Sequence, residues 1–143
     1  MSKWERYFMD VALRTAQLSY CTRLQVGAVA VRDKRVICIG FNGTPPNTPN
    51  CCELEDGTTA PNVLHAEDNL ARFAEKHNIC LEECDLYVTH APCINCAKII
   101  HASKFDKVYF NQYYRDLSGL NYLQTNKVTI VNADDKAPST PIK

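Results

Sequence analysis

A chain of 143 residues, 45% hydrophobic and 22% charged, is sized for one domain around one core. Sixteen Lys and Arg residues balance sixteen Asp and Glu residues. That balance excludes the basic footprint of a protein that tracks a long nucleic acid, while one or two placed arginines could still serve a small anion.

Residues 2–20 read as an amphipathic helix, with Trp4, Phe8, Val11, Ala12 and Ala16 on one face and Lys3, Glu5, Asp10, Arg14 and Gln17 mostly on the other. Ser2 with Glu5 three residues later predicts a capping box. The charge in this opening stretch is wrong for a secretory signal, and no apolar run reaches transmembrane length, so no membrane partner is expected. A polar loop over Cys21–Gln25 leads to Val26–Val31, an apolar run suited to a strand buried on both faces. Arg32–Arg35 is read as the turn of an antiparallel hairpin whose second strand is Val36–Phe41, with Cys38 an inert core thiol.

Asn42–Asn62, rich in Gly, Pro, Asn and Thr, is a loop of a length that is usually functional or disordered. A helix over His65–His77 follows, with Leu64, Ala71 and Ala74 among its packing residues. Leu86–Thr89 is a third strand, Cys93–Ser103 a helix after the Pro92 break, Lys107–Phe110 a fourth strand, residues 114–125 a helix and Val128–Val131 a fifth strand. Strands alternating with helices predict an α/β fold: a three-layer α/β/α arrangement with a five-stranded mixed sheet in which strands 4 and 5 are parallel. With no repeat, linker or second unit visible, residues 1–143 are read as one domain, and 132–143 as a flexible tail.

Eight cysteines without a secretory signal point to reduced thiols and metal binding rather than to disulfides. His65-Ala66-Glu67 and Pro92-Cys93-Ile94-Asn95-Cys96 supply one imidazole, two thiols and a carboxylate not needed as a ligand. This is the inventory of a catalytic zinc site with an open position: His65, Cys93 and Cys96 as ligands, Glu67 as proton carrier. Cys93 and Cys96 fall in the first turn of one predicted helix, and His65 and Glu67 in the first turn of another. Two helix N-termini are therefore expected to converge on one ion, their partial positive charge favouring thiolates. H-A-E followed by P-C-x-x-C is the signature of zinc-dependent nucleobase deaminases. A redox dithiol or a structural zinc knot is the alternative from another class. His77, His90 and His101 are read as ordinary histidines.

The segments Gln25–Val29, Gly40–Pro45, Asn50–Glu53, His65–Glu67 and Tyr87–Lys98 resemble deoxycytidylate (dCMP) deaminases of the cytidine deaminase superfamily, closest to short viral and bacterial forms. The resemblance runs from about residue 4 to residue 131, and G-F-N-G-T-P and N-C-C-E are its dCMP-specific pieces. It implies hydrolysis of dCMP to dUMP for thymidylate synthesis, in the cytoplasm (the host's, if the chain is viral), with one zinc per chain. It further implies that the Ala66 amide holds the pyrimidine carbonyl and that Asn42 bonds the sugar hydroxyl. Arg23 is the candidate for the 5′-phosphate, and Tyr113 or Tyr114 for a contact to base or phosphate. The family is typically hexameric, activated by dCTP and inhibited by dTTP with Mg²⁺, which makes Gly40, Phe41, Asn42, Gly43 and Thr44 the candidate effector segment. Deamination of dCTP or of free (deoxy)cytidine is the nearest alternative activity. Related viral forms can hold a second, structural zinc through histidines inserted before H-A-E. Residues 53–64 contain no histidine, so no second zinc is expected, and Cys21, Cys51 and Cys52 are taken as buried thiols.

Overall fold

The computed structural model describes residues 2–133. Helix α1 spans Lys3–Ala16, opened by the expected capping box: Ser2 Oγ accepts from the Glu5 N–H at 3.1 Å and Glu5 Oε1 accepts from the Ser2 N–H at 3.2 Å. It buries Phe8, Met9, Ala12, Thr15 and Ala16, whereas Trp4 remains partly exposed. The helix stops four residues short of the predicted end. Leu18 and Ser19 take tighter bonds to Thr15 and Ala16, and the Ser19 hydroxyl donates to the Asn42 carbonyl at 2.8 Å. Gly27 explains how closely α1 can lie on the sheet, since a Cβ there would sit 2.3 Å from the Ala12 carbonyl oxygen.

Strands β1 (Gly27–Arg32) and β2 (Arg35–Phe41) pair antiparallel. The turn between them is shorter than the predicted four residues. Asp33 and Lys34 alone form it, at φ +54° and +59°, the mirror-image turn whose twist matches a two-residue hairpin. After α2 (Ala66–Lys76), β3 (Asp85–His90), α3 (Ile94–Ala102), β4 (Lys107–Gln112), α4 (Ser118–Thr125) and β5 (Thr129–Asn132) complete the chain. The sheet order is β2-β1-β3-β4-β5; β1 and β3 are antiparallel, and β3–β4 and β4–β5 are parallel, as the alternation predicted.

Both faces of the sheet are covered. Val29, Val31, Tyr87 and Tyr109 face α1 together with Phe8, Met9 and Ala12. The alternate positions Ala28, Ala30, Leu86, Val88, Val108 and Phe110 face the other core with Leu70, Ile100 and Leu123 from the remaining helices. In β3 this is the two-residue period read directly from a doubly buried strand. In α2 the packing falls on Ala66, Leu70 and Ala74; Ala71 is only half-buried. Cys38 is buried, and burial pushes its thiol up.

Three further sequence expectations need correction. Helix α4 begins at Ser118 rather than 114. Asp116 Oδ1 accepts from the Ser118 N–H at 2.9 Å and fixes a turn there, which leaves 113–117 outside the helix. Asn132 ends β5, and Ala133 is buried with its N–H on the Phe110 carbonyl at 2.7 Å, so the predicted tail cannot begin at 132; its remainder lies outside the described residues. Cys21 and Cys52 form a disulfide, and Cys51 is exposed, against the expectation of three buried thiols. Glu53 brings the two loops together by accepting the N–H groups of Thr22 and Arg23, each at 3.0 Å. The long loop is further tied by pairing of Gly43 with Leu64 and of Glu53 with Thr59. Among the described residues no helix is long and apolar enough to cross a membrane.

Candidate active site

The N-termini of α2 and α3 meet. His65 is the N-cap of α2 and Cys93 the N-cap of α3, both in extended backbone, so their side chains lean over the helix starts rather than out from the helix walls. Cys96 is three residues on, and its N–H points at Cys93 Sγ at 3.4 Å. His65 Nδ1 stands 3.6 Å from Cys93 Sγ and 3.3 Å from Cys96 Sγ, and all three donor atoms lie within 4.8 Å of one another. Zn–S and Zn–N bonds of ordinary length at a tetrahedral angle require S···N edges of about 3.6 Å. The donor set therefore fits zinc in both element type and spacing.

The electrostatics suit that role. Cys93 is drawn down to about 4, first by a hydrogen bond from Cys96 and against the cost of burial, with His65 also helping. Cys96, bonded to Cys93 and buried, is pushed up. His65 is raised chiefly by its bond to Cys93. A metal cation displaces such shared protons, because a coordinating thiol is held as thiolate. Glu67, only 6% exposed, is raised to about 7 mainly by desolvation, which lets it hold or release a proton near neutrality.

A cavity of about 340 Å³ opens beside these groups. His65, Ala66, Glu67 and Cys93 line it from the two helix tips. Arg23, Asn42, Glu53 and Thr59 line it from the two loops, His90 and Ala91 from the end of β3, and Tyr114 and Arg115 from the segment after β4. Ala66 is the first residue of α2, where main-chain N–H groups have no partner within the helix. Asn42 Oδ1 accepts from the Val26 N–H at 2.8 Å and its amide donates to the Leu24 carbonyl at 2.7 Å, so its head group is held rigidly at the cavity wall. Arg23 is exposed and directed by a bond from its guanidinium to Thr59 Oγ1 at 3.1 Å.

Of the two tyrosines, Tyr114 lines the cavity. Tyr113 packs edge-on against Phe110 at 5.0 Å and does not line it. Nor do Gly40, Phe41, Gly43 and Thr44. Gly40 lets α2 approach β2, since a Cβ there would meet the Ala66 carbonyl at 2.5 Å; Thr44 bonds the Tyr20 hydroxyl. Cys21, Cys52 and Glu53 form a second cluster of donor atoms, but its two sulfurs are bonded to each other. Sequence reasoning missed Arg115 and His90 at the cavity. Arg115 lay in a stretch read as helix and was not singled out beside Tyr114, and His90, although inside the Tyr87–Lys98 stretch, was read as an ordinary histidine.

Residues 2–112 match the family model described as the cytidine and deoxycytidylate deaminase zinc-binding region. The chain is 37% identical over 116 residues to ComE operon protein 2 of Bacillus subtilis, an alignment covering 78% of this chain and 61% of that protein, so it spans about three-fifths of that relative's length. It is 33% identical over 121 residues to the deoxycytidylate deaminase of Mycobacterium phage D29, covering 75% of this chain and 93% of the phage protein. Among solved structures, the dCMP deaminase of cyanophage S-TIM5 in complex with dCMP and dUMP superposes with a TM-score of 0.89 at 37% identity, over 92% of this chain and 98% of that one. With zinc-spaced donors, a buried carboxylate beside them and these likenesses, the chain belongs to the cytidine and deoxycytidylate deaminase family.

Proposed function

We propose that this protein hydrolyses dCMP to dUMP and ammonia with one zinc held by His65, Cys93 and Cys96. The observation that carries the reading is the convergence of those three donors beside buried Glu67 at a cavity that also receives two arginines. The likeness to phage proteins named as dCMP deaminases supports the choice of base and phosphorylation state.

Zinc, when bound, supplies Lewis acidity that lowers the pKa of water enough for attack near neutral pH. Two thiolates and a neutral imidazole leave the ion with no net charge to spare, so proton transfer falls to the protein. Glu67 accepts a proton from the attacking water, passes one to the pyrimidine N3 as the water oxygen bonds to C4, and assists protonation of the amine, which leaves as ammonia. The Ala66 N–H holds the pyrimidine carbonyl and Asn42 the sugar hydroxyl. Arg23 and Arg115 take the 5′-phosphate, whose oxygens match a guanidinium fork, and Tyr114 rather than Tyr113 contacts the nucleotide. By family resemblance the product supplies thymidylate synthesis, and the protein is a hexamer activated by dCTP and inhibited by dTTP with Mg²⁺. The effector role of Gly40–Thr44 rests on that resemblance.

Zinc-loaded protein incubated with dCMP, dCTP and deoxycytidine, with ammonia release and loss of cytosine absorbance followed, should turn over dCMP with the highest kcat/KM. Turnover of none of the three would remove the enzymatic reading; preference for dCTP or deoxycytidine would move the phosphate assignment. Adding dCTP or dTTP with Mg²⁺ to the same assay tests regulation.

A further inference from the structure

His90 closes β3 and lines the cavity, yet it matches no part of the zinc motif. Its neighbour Thr89 is 2% exposed, and Thr89 Oγ1 lies 3.2 Å from the Gly27 nitrogen and 2.9 Å from His90 Nδ1. The Gly27 N–H can only donate, so it occupies a lone pair of that oxygen. The hydroxyl proton is then buried and needs an acceptor, and among the described residues His90 Nδ1 is the one placed to take it. An imidazole accepting at Nδ1 carries its proton on Nε2 when neutral. Burial lowers the affinity of His90 for a second proton, in keeping with a neutral ring. Among the described residues Nε2 has no hydrogen-bond partner.

The position of this donor selects what it can meet. Thr89 reaches Gly27, four residues after Arg23, and His90 pairs in the sheet with Gln112, three residues before Arg115. Both arginines line the same cavity. In the other direction along the chain, Cys93 follows three residues later at the zinc end. His90 therefore shares one cavity wall system with a zinc donor, Cys93, and with both guanidiniums, Arg23 and Arg115.

We propose that His90, held as the Nε2–H tautomer by the chain Gly27 N–H to Thr89 O–H to Nδ1, is a specificity-determining residue that donates a hydrogen bond to an oxygen of the substrate's sugar–phosphate portion. The proposal rests on the dCMP reading for its ligand, but not for its tautomer. Thr89 is a positioning residue that acts through His90.

The test has a spectroscopic and a kinetic arm, both on the zinc-loaded full chain. Long-range ¹H–¹⁵N correlation of imidazole-labelled protein, assigned by comparison with His90→Gln, should show a neutral ring protonated on Nε2, and titration with dUMP should shift that signal. Thr89→Val should give a mixture of tautomers. In turnover, His90→Phe should raise KM for dCMP about tenfold, the loss expected for one hydrogen bond, and His90→Gln, which carries an N–H near the Nε2 position, should recover most of it. A smaller effect of His90→Phe on deoxycytidine places the contact on phosphate; an equal effect that is absent with free cytosine places it on the sugar, and an effect that persists with free cytosine would move it to the base and overturn the proposal. A ring protonated on Nδ1, a signal indifferent to dUMP, or a folded His90→Phe protein with unchanged KM would each overturn the proposal. If His90→Phe fails to bind zinc, the wild-type tautomer and the Thr89→Val kinetics decide. Absence of dCMP turnover by the wild type would sink the dCMP reading and leave the tautomer measurement standing.

Discussion

Glu67 shows how one side chain's surroundings set its use. A carboxylate on the first turn of a helix is usually solvated and favoured by the helix dipole, but this one is buried against Cys93 and Cys96, and desolvation outweighs the favourable contributions that pull it down. A group poised near neutrality, adjacent to the metal donors but outside the set of three, is suited to carry protons rather than to bind the ion. Glu67→Gln preserves volume and hydrogen bonding while removing the exchangeable charge. The variant should keep about one zinc per chain by atomic absorption and lose about 10³-fold in kcat, within the range for a lost general acid–base. A variant without zinc would make Glu67 a ligand; one with near-normal kcat would end its proton-carrying role.

At the scale of elements, the site depends on where helices begin. The carbonyl of Pro92 and the backbone of Cys93 press on α4: a Cβ at Gly119 would come to 2.1 Å from the Pro92 oxygen. Gly119→Ala must therefore push α4 away from the turn that aims Cys93. It should lower the unfolding free energy by about 1–3 kcal/mol, the usual range for overpacking, and weaken zinc retention against a chelator. Urea unfolding and chelator competition that both match the wild type would show the contact to be slack. The starts of α2 and α3 were legible in the sequence because H-A-E and P-C-x-x-C tie ligand chemistry to helix N-termini. The strands were legible because β1 and β3 are apolar on both faces. The end of α1, the two-residue turn of the hairpin and the late start of α4 were not. Each is decided by side chains meeting main chain, as with Ser19 on Asn42 and Asp116 on Ser118, or by a left-handed pair at Asp33 and Lys34, none of which leaves a periodic trace. The Cys21–Cys52 bond was illegible for a different reason, since sequence spacing cannot say that Glu53 draws the two loops together.

For the whole molecule, the division of labour follows the sheet. The helix tips carry the metal-spaced donors and buried Glu67, while the two loops around Arg23 and Glu53 and the segment around Arg115 line the rest of the cavity and bring two guanidiniums to it. Those loops have little apolar packing of their own and depend on the Glu53 bonds, the Arg23–Thr59 contact and the Cys21–Cys52 bridge. The bridge closes a sequence separation of 31 residues, and restricting the unfolded chain over such a span contributes about 3–4 kcal/mol on the chain-entropy model. Denatured wild type, stripped of zinc and kept from reductant, should titrate six thiols, matching the six free cysteines, and two more after reduction. Cys52→Ser should lose about 2–4 kcal/mol of stability in the absence of reductant. Dithiothreitol should destabilise the wild type by a similar amount and leave the variant unchanged. Because the same bridge holds the loop bearing Arg23, the variant's KM for dCMP should rise more than its KM for deoxycytidine, with zinc content unaffected. Eight thiols in the unreduced wild type would dissolve the bridge, and equal shifts for both substrates would separate it from the phosphate end of the cavity.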